Sequence, residues 1–325
     1  MYLLTKDDRP LWENERVKKG LRRVLMLITL GYLLKWGIFS IVTLRAYPTY
    51  FTVDVLHCIG FAILGLISVY ALHRIFQFSL RVSLFTLAVF IFFLEPYLKS
   101  ADWSQLPSWL ANYFTTANGS TFTLFPWMAY TFMGGVLGVW LNRNAQIAFT
   151  KSFPWILFTI GAMFALFSSH WVHTLHEMTG WASIRAMFGH SYLFTRLGNV
   201  LIAVSAVIWI TRWWKSMPAL VTKIGGETLT IYAVHYVILF GTWFGVGLAT
   251  FWKQALSPIP AAIGALLFII SFVYLIKHIE LVRHIVYNQI PDSLWYAYRI
   301  ARIKLVRFYL KARRPVKKIL LAFIQ

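Results

Sequence analysis

The sequence predicts an all-α fold, a polytopic transmembrane helical bundle of about eight spans with both termini in the cytoplasm. Three observations predict it. The chain is 59% hydrophobic and only 13% charged, whereas soluble domains carry about a quarter charged residues. Its apolar residues gather into runs long enough to cross a bilayer. Its basic residues alternate in density from one connecting segment to the next.

The apolar runs fall at residues 22–44, 52–73, 79–98, 122–141, 153–170, 194–211, 224–246 and 259–277. Each has the roughly 17–25 residues that a membrane-spanning helix needs. The first follows a basic lead-in, residues 1–21. The fourth opens with Pro126, tolerated in a first turn, and with Trp127 and Tyr130, which suit an interface. Gly134 and Gly138 add a GxxxG pair that favours close helix packing. On one side of the membrane the connections hold Arg74, Arg81, Arg143, Lys151, Arg212, Lys215 and Lys223. On the other they hold Arg45, Lys99, Arg185, Arg196 and Lys253. With the two basic ends included the split is 25 against 5, which places both termini on the cytoplasmic side. The membrane domain is read as residues 22–279. Residues 280–325 form a cytoplasmic basic tail, with an aromatic-rich amphipathic helix expected along the inner leaflet over 293–320.

The formal net charge of +20 does not mark a nucleic-acid surface, because the basic residues concentrate at the two ends, where an anionic leaflet attracts them. Cys58 is the only cysteine, so neither an internal disulfide nor a cysteine metal site is available. The charged first 23 residues are not a cleavable signal peptide.

Few polar groups inside the apolar runs can carry chemistry. IGGETLTIYAVHYVIL, residues 224–239, places Thr228, Tyr232 and His235 at i, i+4 and i+7, one stripe of a helix. His235 lies roughly 16 Å into that span at about 1.5 Å per residue. An ionisable group at that depth is a site candidate; the alternative is a neutral histidine bonded to Tyr232 or to a neighbouring helix. VDVLHCIG sets Asp54 and His57 at i, i+3, where a carboxylate fixes an imidazole tautomer or merely caps a helix. Glu95-Pro96 is expected to end the third span with a solvated acid. His170, His173 and His176 sit in an outer loop in this reading, and their drift around a helix argues against a metal site.

DVLHCIG (54–60), TLFPWMAYTFMGGVLG (123–138) and IGGETLTIYAVHYVIL (224–239), with the lead-in ERVKKGLRRVLMLITLGYLL (15–34), resemble in order and spacing the integral-membrane acyltransferases related to heparan-α-glucosaminide N-acetyltransferase. The resemblance spans roughly residues 15–245. It implies transfer of an acyl group, acetyl in the typical case, from cytoplasmic acyl-CoA to a sugar hydroxyl or amine across the membrane. The expected co-substrate is acyl-CoA, acetyl-CoA in the typical case, with no bound cofactor and no metal. The expected acceptor is a carbohydrate or glycolipid, and the expected location is the bilayer of a bacterial inner membrane. A homo-oligomer is compatible with it. The family's N-terminal pair of helices carries its catalytic histidine; the chain opens at MYLLTKDDRP, which reads like the last turn of a preceding helix, and goes straight to the basic lead-in, so that pair is expected to be missing. The chain therefore reads as an acyltransferase or the large remnant of one. His235, His57 and Asp54 are carried over as site-lining residues with a catalytic expectation. Arg22, Arg23, Arg74, Arg212 and Lys215 are expected either to hold coenzyme A phosphates or to act only as topology determinants. The alternative function is a transporter or lipid-handling protein without covalent chemistry.

The charge split makes a direct prediction about topology. Reporter fusions after Lys99 and Lys253 should read as extracytoplasmic, and fusions after Arg143 and Gln325 as cytoplasmic. An extracytoplasmic reading at Gln325 would overturn the span count.

Overall fold

The computed structural model describes residues 9–37, 43, 48–190, 192–214, 216–253, 255–285 and 299. Among them every regular element is helical and none is a strand. The eight longer helices among the described residues are α1 Glu15–Leu33, α2 Val55–Phe76, α3 Leu80–Ser100, α4 Trp127–Arg143, α5 Ser152–Thr179, α6 Tyr192–Trp213, α7 Thr228–Phe240 and α8 Pro258–Lys277. Among the described residues five helical segments are long and apolar enough to cross a membrane, those containing α2, α3, α5, α6 and α8.

The other three differ from the expected spans for local reasons. α1 begins at Glu15, earlier than residue 22, because Asn14 caps it by accepting from Arg16 N (2.9 Å) and Val17 N (3.2 Å). The far end of that expected span lies mostly outside the described residues. α4 starts only at Trp127, after Pro126, and is 17 residues long. The run expected over 224–246 is divided, since a short helix Ala219–Gly226 precedes Glu227 and α7 follows it. The amphipathic helix expected over 293–320 also lies outside the described residues, Arg299 apart.

Two further corrections concern polar residues. α3 does not end at Glu95 but runs on to Ser100 with Pro96 inside it. Such prolines are tolerated in apolar helices when neighbouring groups satisfy the backbone. α5 extends to Thr179 and stops at Gly180, whose φ of +66° suits glycine. His170, His173 and His176 are therefore helical and not in a loop.

The chain divides into two compact units, one of residues 1–216 and 233–251, the other of 217–232 and 252–325. In the first, α2, α3 and α4 enclose a core that includes Ile67, Tyr70, Leu84, Ala88, Phe92 and Phe132. α5 and α6 form an antiparallel pair that crosses at Gly161 and Gly198, where a Cβ built on Gly161 would lie 2.8 Å from Gly198 O. Ser168 and Thr195 hydroxyls meet across this pair at 2.8 Å, and Ser205 donates to Pro154 O at 2.7 Å, the polar contacts that hold apolar helices together. α1 lies against α2 through Gly20 and Gly31 on one side and Gly60 on the other. In the second unit, Ala219–Gly226 packs on α8, and Glu227 accepts from Thr230 and Arg283, both at 2.7 Å.

Gly161→Leu tests the pair contact. The added side chain has backbone in its way, so the variant should lose about 1–3 kcal/mol of stability, measured as an earlier thermal transition in detergent. An unchanged transition would mean that α5 and α6 do not depend on this crossing.

Candidate active site

The start of α2 is where sequence and geometry meet. Asp54 is its N-cap, accepting from Leu56 N at 3.1 Å through Oδ1. One turn on, His57 Nδ1 lies 2.8 Å from the same Oδ1 and 3.3 Å from Asp54 N. A single ring nitrogen cannot serve both contacts. The shorter one faces a carboxylate oxygen, which repels a lone pair, so Nδ1 carries the proton and donates to Asp54. In the neutral ring Nε2 is then the nitrogen without a proton. It is buried and has no hydrogen-bond partner among the described residues, and the His57 side chain is 0% exposed. Buried polar atoms are nearly always paired, so one without a partner calls for a physical account. The other carboxylate oxygen, Asp54 Oδ2, is 3.7 Å from the Lys35 ammonium. Lys35 follows α1 and is anchored by Thr52, donating to its carbonyl (2.5 Å) and hydroxyl (3.0 Å).

The surrounding shell comes from three parts of the chain. Tyr32 of α1 meets the imidazole edge-on, ring centres 4.2 Å apart. Its hydroxyl bonds the Tyr113 hydroxyl at 2.7 Å, and burial pushes the Tyr113 phenol well above its ordinary value. The segment between α3 and α4 is stitched over the start of α2. Ser120 Oγ accepts from Val53 N, Thr121 N donates to Val53 O (both 3.0 Å), and the buried Asn112 donates to Phe51 O at 2.9 Å. Past the end of α7, Trp243 Nε1 donates to Leu33 O at 2.9 Å. Trp36 Nε1 and Thr242 Oγ1, at this same end, are also buried without a partner among the described residues.

Gly31 makes the site possible. A Cβ there would lie 2.5 Å from His57 Cε1, 2.8 Å from Nδ1 and 2.9 Å from Nε2. The imidazole occupies the space that any side chain at position 31 would need.

The expected residues thus separate into groups. Asp54 and His57 are together. His235 lies half-buried on α7 with Thr228 and Tyr232, and it makes contacts of its own; the next residue, Tyr236, is within electrostatic reach of Asp54. Arg22 and Arg23 are exposed on α1. Arg74 Nη2 reaches Arg9 O at 3.5 Å. Arg212 donates to Ala148 O (3.0 Å) and Thr150 O (2.7 Å), bracing the link between α4 and α5. Lys215 lies outside the described residues. At the far end of α2 a polar cavity of about 500 Å³ opens between His73, Gln77, Ser79, Asn142 and Arg143. Sequence reasoning missed Lys35, Tyr32 and Tyr113. Only Lys35 carried a sequence signal, as a lone cation inside an apolar run.

Glu95 is a second correction of chemistry. It is 1% exposed, and accepts from Lys99 (2.7 Å) and the Tyr192 hydroxyl (2.8 Å) while pairing with His190. Among the described residues no three His, Cys, Asp or Glu side chains gather as a metal site. His173 stacks on Phe188 and pairs with Glu177 at 3.2 Å.

A family profile described as heparan-alpha-glucosaminide N-acetyltransferase, catalytic, matches residues 7–175, just over half of the chain, and includes α1 through most of α5. No curated protein and no solved structure matches.

Gly31→Ala should displace the His57 ring from Asp54 or part α1 from α2. The expected result is a loss of about 1–3 kcal/mol in thermal stability and a changed histidine nitrogen shift in labelled protein. If the His57 signal is unaltered, the contact at Gly31 does not position the ring.

Proposed function

As the chain belongs to the heparan-alpha-glucosaminide N-acetyltransferase catalytic family, we propose that it is a membrane acyltransferase moving an acyl group, acetyl in the first instance, from acyl-CoA to a hydroxyl or amine of a carbohydrate or glycolipid. The observation that carries this reading is the buried Asp54–His57 pair, whose Nε2 has no partner among the described residues, inside the matched stretch.

His57 would act as general base. Nε2 takes the proton of the acceptor hydroxyl or amine as its oxygen or nitrogen attacks the thioester carbonyl. The C–S bond breaks, and the departing thiolate recovers the proton to leave coenzyme A as a thiol. Asp54 would hold the tautomer and stabilise the imidazolium while it lasts. The buried Trp36 N–H and Thr242 hydroxyl, unpartnered at this end among the described residues, are suited to acceptor hydroxyls. His235, on the polar stripe of α7, would be a second histidine able to hand on the proton or to hold the acyl group.

The orientation belongs to the same proposal: eight spans, both termini cytoplasmic, the α2 start facing the far side. Along α2, His57 and His73 are separated by about 24 Å at 1.5 Å per residue. The polar cavity beside His73 and Arg143 would then lie at the cytoplasmic end, and would receive the phosphates of the donor with Arg74 beside it; Arg22 and Arg23 follow Gly20, which meets Ile67, and would lie farther along α2 from His73. Arg212 and Lys215 are kept in the donor role only as basic residues of that cytoplasmic side.

The test is acyl transfer by purified protein in nanodiscs, followed as release of coenzyme A thiol, alongside thermal unfolding. His57→Gln should lower turnover by about 10²–10⁴-fold while donor binding persists. His235→Gln should do the same if it shares the chemistry, and should affect only stability if it packs. Full turnover in His57→Gln would remove this residue from the mechanism. Substrate movement with no thiol release would favour transport over transfer.

A further inference from the structure

We propose that Lys35 is a positioning residue that keeps Asp54 ionised and His57 neutral, so that Nε2 is available as a base. This rests on the acyl-transfer reading for its consequence in turnover, but not for its consequence in the histidine itself.

The argument begins with charge in a buried place. The side chains of Lys35, Asp54 and His57 are 9%, 7% and 0% exposed. Charges removed from water persist only when paired. Asp54 Oδ1 is engaged by Leu56 N and His57 Nδ1, and Oδ2 has only the Lys35 ammonium, 3.7 Å away and beyond hydrogen-bond range. The Thr52 carbonyl and hydroxyl hold that ammonium in place. It therefore acts on Asp54 through its charge, not through a hydrogen bond that would compete with His57.

With His57 neutral, Lys35 and Asp54 cancel. Protonating Nε2 would add an uncompensated positive charge, which burial opposes. Without Lys35 the balance reverses: Asp54 would be a buried anion facing a neutral ring, and the pair would take up a proton at Nε2. The other groups facing the ring do not supply a replacement charge. Tyr32 and Tyr113 are bonded to one another through their hydroxyls, Cys58 is a buried thiol on α2, and Tyr236 approaches from α7 beside His235. The lone pair on Nε2 thus depends on a cation two residues beyond the end of α1.

The experiment is a pH titration of ¹⁵N-histidine-labelled full-length protein in nanodiscs, the His57 signal being assigned by its loss in His57→Gln. Lys35→Met should move the His57 midpoint up by at least one pH unit, a tenfold change in proton affinity, and Lys35→Arg should leave it near the wild type. Turnover against pH should follow, with the acidic limb of Lys35→Met rising by the same interval and activity returning at higher pH. If Lys35→Met disrupts folding, Asp54→Asn supplies the second route. In that background His57 should titrate lower than in wild type, and adding Lys35→Met, so that the cation goes together with the anion it faced, should raise the midpoint again; no difference between Asp54→Asn and the double variant overturns the proposal. An unshifted or lowered midpoint in Lys35→Met, an equal shift in Lys35→Arg, or a limb that ignores the shifted midpoint overturns the proposal. A shifted midpoint with no dependence of turnover on His57 would instead sink the acyl-transfer mechanism and leave the charge coupling intact.

Discussion

The 2.8 Å bond between His57 and Asp54 depends on how closely α1 approaches α2. Gly20, Gly31 and Gly60 let the two helices come together, and at Gly31 the neighbour is the imidazole itself. Once the ring is held there, the rest of the site follows. Tyr32 covers its edge, Lys35 emerges one turn later beside Asp54, and the segment after α3 closes over the cap through Val53. An N-cap carboxylate ordinarily spends itself on backbone N–H groups. Here the same oxygen also orients a histidine, so the device that starts the helix serves its chemistry too.

The two buried carboxylates show different uses of one residue class. Glu95 is surrounded by donors: Lys99, the Tyr192 hydroxyl and His190. These contacts tie α3 to α6 and to the segment before it. Asp54 has one oxygen facing a cation at a distance and passes its other bond to a ring with an open nitrogen. The buried ring nitrogen of His57, open and facing no donor among the described residues, is where a substrate can complete the set.

Much of the fold could be read from residue order because apolar length and helix punctuation are local properties. Ser257 and Pro258 start α8 where the run begins, and α2 and α3 fall within a few residues of their apolar runs. Local signals also misled. Pro96 looks like a terminator, yet α3 continues past it, and histidines at 170, 173 and 176 look like loop residues, yet α5 runs on to Gly180. The Asp54–His57 pair was legible because i, i+3 spacing is itself local. Tyr113 was not, since it joins Tyr32 from 81 residues away. Lys35 sat in plain view inside an apolar run, and its meaning became clear only beside Asp54.

The imidazole against Gly31 gives the family a simple diagnostic. With the ring in this pose position 31 must be glycine, because even a methyl group would displace the imidazole. The signature of an intact pair is therefore written twice, once in the acid and histidine of α2 and once as a missing side chain on α1. A relative that keeps DVLH but places alanine, serine or anything larger opposite it has a histidine in some other pose, and should be sorted apart when variants or homologues are chosen for comparison.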